Sequence, residues 1–131
     1  MTDPSQDALV PPSDDANSLL VASNKVDSLK VYGRDGEHLG FVSSLMLNKG
    51  TGSATYAVLA LGGFLGVGRS YYPLPFQLLE YERVSDHYVV TIDKRLLEGG
   101  PSWASNSPTF TQAYADRVSS YYGQPSVDLS A

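Results

Sequence analysis

Apolar residues are densest between residues 54 and 81, ATYAVLALGGFLGVGRSYYPLPFQLLEY, and their spacing there is that of strands. Side chains alternate along a strand, so Tyr56, Val58 and Ala60 share one face and Thr55, Ala57, Leu59 and Leu61 the other. Neither set is polar, which predicts a strand covered on both faces, as in a closed barrel or between two layers. Gly62, Gly63, Gly66 and Gly68 follow and predict a tight, bulged crossing from which Phe64, Leu65 and Val67 project. A second strand then runs from Ser70 to Leu74. Pro73 and Pro75 each lack an N–H donor, which predicts an edge position for it.

On either side the pattern is weaker but still readable. Val31 and Tyr32 end a short strand, Gly33, Arg34, Asp35 and Gly36 form a turn, and residues 39–47 make a longer return strand. Residues 48–52, NKGTG, are a second turn leading into the central strand. After Pro75, one helical turn over residues 76–79 reverses the chain, with Leu78 and Leu79 against the core. Residues 80–84 and 87–92 form a last hairpin in which Tyr88, Val90 and Ile92 share a face. A helical turn over residues 94–98 ends at Gly99, Gly100 and Pro101. Beyond a small-polar linker at residues 101–108, Phe110, Tyr114, Val118, Tyr121 and Tyr122 recur at helical spacing. Thr109 with Gln112 three residues on reads as a capping box, which predicts an amphipathic helix over residues 109–123. One such helix is marginal alone, so it must dock on its own barrel or on another chain.

Composition narrows the functional classes. The 131 residues carry a formal charge of −5, and Asp3, Asp7, Asp14 and Asp15 are the only charged side chains before Lys25. Residues 1–23 therefore read as a flexible acidic tail rich in Ser and Pro, with a short apolar run at Leu19, Leu20, Val21 and Ala22 that can dock on the barrel. The remainder, with nine basic and ten acidic residues, is nearly neutral and argues against direct nucleic-acid binding. Cysteine is absent, so thiolate and disulfide chemistry are excluded. There is no signal-peptide pattern and no run of membrane-spanning length, so a cytoplasmic location without membrane insertion is expected. Residues 124–131 read as a loose end.

YAVLALGGFLGVG followed by YYPLPFQLLEY resembles the core of the PRC-barrel family, the small β-barrel of photosynthetic reaction-centre H subunits and ribosome-maturation factors. The opening VYGRDGEHLGFVSSLMLNKGTG and the closing YVVTIDKRLLEGGPSW fit the same order, so the resemblance runs from about residue 21 to residue 100. It implies a mainly β fold: a small closed barrel of about six strands over residues 24–100, followed by a C-terminal α-helix. The family shares a fold and not a reaction, so the resemblance implies no catalytic residue and no cofactor.

The chemistry-bearing residues support that reading. The glycine crossing joins two strands and lacks the Gly-Lys-Ser/Thr ending of a phosphate loop, so it reads as structural. His38 and His87 each stand beside a turn without a Cys/His cluster and read as surface histidines. Glu80 and Glu82 point to one side of a strand and read as solvent-facing, and no serine sits in a nucleophile elbow. The tyrosines are divided between core and interface, because a phenol offers apolar area with one hydrogen bond. The expectation is a non-enzymatic interaction module, self-associating as a homodimer or binding another protein. Its candidate contacts are Phe64, Leu65, Val67, Tyr72, Pro73, Phe110, Tyr114 and Tyr121. The alternatives are a small-ligand or ion-binding barrel with its site where the glycine crossing meets the tyrosine rim, and, more weakly, an accessory to ribosome or RNA processing.

Overall fold

The computed structural model describes residues 19–62 and 68–129. A 3-10 turn at Ser23–Ser28 leads into β1 (Lys30–Tyr32), β2 (His38–Leu47), β3 (Ala54–Leu61) and β4 (Ser70–Pro75). A second 3-10 turn, Phe76–Leu78, precedes β5 (Leu79–Glu82), β6 (His87–Val90) and the helices α1 (Lys94–Glu98) and α2 (Gln112–Tyr121). The six strands form one sheet in the order β4-β3-β2-β1-β6-β5. Neighbours are antiparallel except β1 and β6, which run parallel with Val31 opposite Tyr88.

Turn chemistry sets these junctions as the sequence predicts. The Asn48 side chain accepts from the amides of Gly50 and Thr51 at 2.8 and 3.1 Å, closing the β2–β3 turn. Between β1 and β2, the Gly36 amide bonds to Gly33 O at 2.9 Å and the Gly33 amide to Glu37 O at 2.8 Å. On β3 every residue from Tyr56 to Leu61 is buried, in keeping with its apolar composition on both faces.

The two ends of the sheet, β4 and β5, are joined by three residues only. Laid flat, six strands at about 4.8 Å spacing would part them by roughly 24 Å, while the link from Pro75 to Leu79 spans at most about 14 Å. The sheet must therefore curl, and it forms a half-barrel. The closed barrel expected from the sequence is not reached, because β4 and β5 do not pair with each other among the described residues. The two prolines explain why. The Tyr71 amide points away from β3, donating to Trp103 O at 2.8 Å. Residues 73 and 75 share that orientation, so the outward side of β4 meets proline nitrogens where a ladder needs donors.

Val31, Val42, Leu59, Leu74, Val90, Leu97 and Val118 are all fully buried in one cluster. The opposite face of β3 and β4 carries Tyr56, Val58 and Ala60, in register with Pro75, Pro73 and Tyr71. The C-terminal arm covers it. Trp103 stacks on Tyr71 with ring centroids 6.0 Å apart, and Phe110 meets Trp103, Tyr114 and Tyr56 at 6.2, 5.0 and 5.8 Å. Ala115, Val118 and Ser119 are the buried side of α2, so the helix packs on its own chain.

The capping box predicted at Thr109 is displaced by two residues. Thr111 is the N-cap, its hydroxyl accepting from the Tyr114 amide at 3.2 Å, and α2 begins at Gln112. Phe110, expected on the helix, belongs to the extended approach, where the aromatic cluster holds it. Gln112 is thereby freed from capping. Its amide instead donates to Val127 O at 2.6 Å and accepts from the Leu129 amide at 3.0 Å, securing a segment that reads as loose in the sequence.

Candidate functional site

At one end of the half-barrel the starts of β2 and β4, the end of β3, and α1 surround a cleft of about 420 Å³. Gly62 and Gly68 stand on its rim with φ of 72° and 76°, a backbone region that side-chain-bearing residues avoid. Phe64, Leu65 and Val67, predicted to project between them, lie outside the described residues. Leu39, Leu61 and Leu97 supply the apolar wall, and Tyr72 lines it half-buried.

The charges of the cleft satisfy one another. Lys94 Nζ lies 2.9 Å from both carboxylate oxygens of Glu37 and 3.7 Å from Glu98. The hydrogen bond to Glu37 raises the Lys94 pKa above the ordinary lysine value. Behind this pair, Asp93 caps α1 by accepting from the Arg95 amide at 2.8 Å and meets Arg34 at 3.4 Å. Those contacts, the backbone bond first, lower its pKa.

The two histidines are not isolated, as the sequence suggested. Both rings pack on Tyr32, His38 at 5.0 Å and His87 at 4.2 Å between centroids. The β1–β2 register places His38 opposite Tyr32, and the parallel β1–β6 pairing brings His87 beside it. Among the described residues no three His, Cys, Asp or Glu side chains converge as a metal-binding group. Glu80 and Glu82 are solvent-facing on β5. Nearby, the Tyr81 hydroxyl donates to Asp86 at 2.6 Å, and that bond raises its pKa.

The predicted contact residues separate by burial. Pro73 is fully buried, and Phe110 and Tyr114 are half-buried against the core. Tyr121 remains 37% exposed, its hydroxyl donating to Leu96 O at 2.6 Å. Leu96, 40% exposed, adds apolar surface the sequence reading overlooked. A signal was present: of the adjacent pair Leu96 and Leu97 on one short helix, only one can face the core. The neighbouring Tyr122 is buried, and its hydroxyl has no hydrogen-bond partner among the described residues. Burial pushes that phenol far above its ordinary pKa.

A curled six-stranded sheet with its ends joined by one 3-10 turn defines a small β-barrel-type module. The family model of the PRC-barrel domain matches residues 20–97, more than half of the chain, and the chain belongs to that family. No curated protein matches it. The matched stretch stops within α1, so the aromatic arm and α2 lie beyond it. Among the described residues no helix is long and apolar enough to cross a membrane.

Proposed function

We propose that this PRC-barrel protein is a non-enzymatic interaction module that presents the cleft end of its half-barrel to a protein partner, a second copy of the chain included. The observation that carries the reading is the exposed apolar pair Leu96 and Tyr121 on the α1 side of a cleft whose charges are already matched within the chain. Exposed apolar surface beside internally neutralised charge suits burial against another protein better than capture of an ion. The test is native mass spectrometry of the protein purified from its source, beside a Leu96→Lys/Tyr121→Lys variant. Association should be lost in the variant while it stays folded by circular dichroism, with a midpoint lowered only by the lost Tyr121 hydrogen bond. A variant that still captures the same partner, or still self-associates, removes this face from consideration.

The cleft supports a second reading. Its volume of about 420 Å³ and its mixture of Tyr72, His38 and Lys94 with apolar walls suit a small polar metabolite. A ligand at a hundred times its Kd would stabilise the fold by about 2.7 kcal/mol, a readily measured thermal shift. A metabolite and nucleotide screen that shifts nothing would eliminate it.

A further inference from the structure

The contacts of Gln112 resemble those of a strand. In an extended chain the C=O of one residue and the N–H of the residue two further on point to the same side, the pair that a single residue of a parallel neighbour bonds. The Gln112 amide takes that pair from residues 127–129, donating to Val127 O at 2.6 Å and accepting from Leu129 N at 3.0 Å. Its orientation is fixed by a third bond, to Asp116 Oδ1 at 2.9 Å. Side chains complete the contact. Val127 packs against the core, and Leu129 lines a groove of about 380 Å³ with Met46, Leu47, Tyr56 and Phe110. The groove is incompletely filled, since Leu47 and Leu129 stay 53% and 38% exposed.

The tether holding the segment there is short. From Tyr122 to Val127 the chain can span at most about 17 Å, and it must return along an α2 of about 14 Å. It reverses at Gly123, with φ of 65°, and returns to Gln112. A tethered element on a short hinge can be exchanged between copies.

We propose that Gln112 and the groove form a docking site for an extended apolar–acidic–apolar segment, filled by the chain's own residues 127–129 and, by exchange, by the same segment of a second copy. Recognition is through main-chain bonds plus two apolar side chains, as when a peptide adds to a sheet edge. The site lies apart from the cleft, so it stands whether or not the cleft binds a partner. Because the tether gives the chain's own tail an effective concentration in the millimolar range, the wild-type protein is mainly self-docked in dilute solution.

Two full-length variants separate the halves of the contact: Gln112→Ala removes the clasp and keeps the tail, and Leu129→Asp keeps the clasp and removes the tail. Each alone should be monomeric by native mass spectrometry at about 100 μM, well below that effective concentration. Mixed, they should form a heterodimer, with the tail of one seated in the clasp of the other. A mixture that stays monomeric overturns the proposal, as does equal association of Leu129→Asp with a Gln112→Ala/Leu129→Asp chain. Should Gln112→Ala fail to fold by circular dichroism, a labelled peptide QPSVDLS titrated into the Leu129→Asp chain serves instead. It should bind there at least about fivefold more tightly than to wild type, whose own tail competes. Equal affinity, or none, overturns the proposal.

Discussion

Val118→Ala tests whether α2 is part of the fold or an appendage. Val118 is fully buried in the core cluster, and the substitution deletes two methyl-sized groups. Lost transfer free energy is about 1.6 kcal/mol, and an unrelaxed cavity of roughly 50 Å³ adds about 1.2, for a total near 2–3 kcal/mol. At about 4 °C per kcal/mol for a domain of this size, the thermal midpoint should fall by about 8–12 °C. The assay is urea unfolding followed by far-ultraviolet circular dichroism and by the fluorescence of Trp103, which sits between Tyr71 and Phe110. Both signals should move together, because arm and sheet share one core. Ser120→Ala, at an exposed position on the same helix, should stay within about 0.5 kcal/mol of wild type. The reasoning fails if Val118→Ala leaves the midpoint in place, or if the helical signal is lost early while fluorescence keeps its wild-type midpoint.

Other consequences can be measured on the same preparations. Thr111→Ala should cost about 1 kcal/mol in urea unfolding through loss of the α2 cap, and Thr111→Ser should restore most of it. Tyr122→Phe removes a buried hydroxyl without a partner, so its stability at neutral pH should equal or exceed that of wild type. Because the folded state raises the Tyr122 pKa, stability is kept below the ordinary phenol value and falls as pH rises past it; the Phe variant should unfold at higher pH in an alkaline titration. Asp93 has the opposite sign. Its folded pKa is lowered, so its contribution is present above the ordinary carboxylate value and is lost as pH falls through the folded one. Wild type and Asp93→Asn should therefore differ most near neutrality and converge in an acid titration followed by circular dichroism.

What could be read in advance follows the range of the interactions. The β1–β2 hairpin, the Asn48 turn, the doubly buried β3 and the stop at Pro75 depend on neighbours within a few residues, and alternation plus turn chemistry record them. The packing of His87 on Tyr32 depends on the parallel pairing of β1 with β6, whose paired residues are 57 apart, and no local period encodes it. The start of α2 is hidden for a related reason. Thr109 and Thr111 are equally good caps by type, and what decides between them is the aromatic cluster that holds Phe110 in the extended approach. Among the interface candidates, sequence alone did not tell a tyrosine or proline turned inward from one facing out. Pro73 is fully buried and Tyr121 is not, because the C-terminal arm covers the outer face of β4 and its helix leaves Tyr121 at the rim.

Pro73 and Pro75 also bear on crowding during synthesis and storage. A sheet that ends in an open row of amides can template other chains, and at high concentration that is a route to fibres. Here one end of the sheet offers proline nitrogens, and its Tyr71 amide is already taken by Trp103. Growth by strand addition is left only the β5 end, where Glu80 and Glu82 place two like charges on four residues. A sheet with a strongly apolar inner strand is thus guarded at its β4 end against growth by edge-to-edge strand addition.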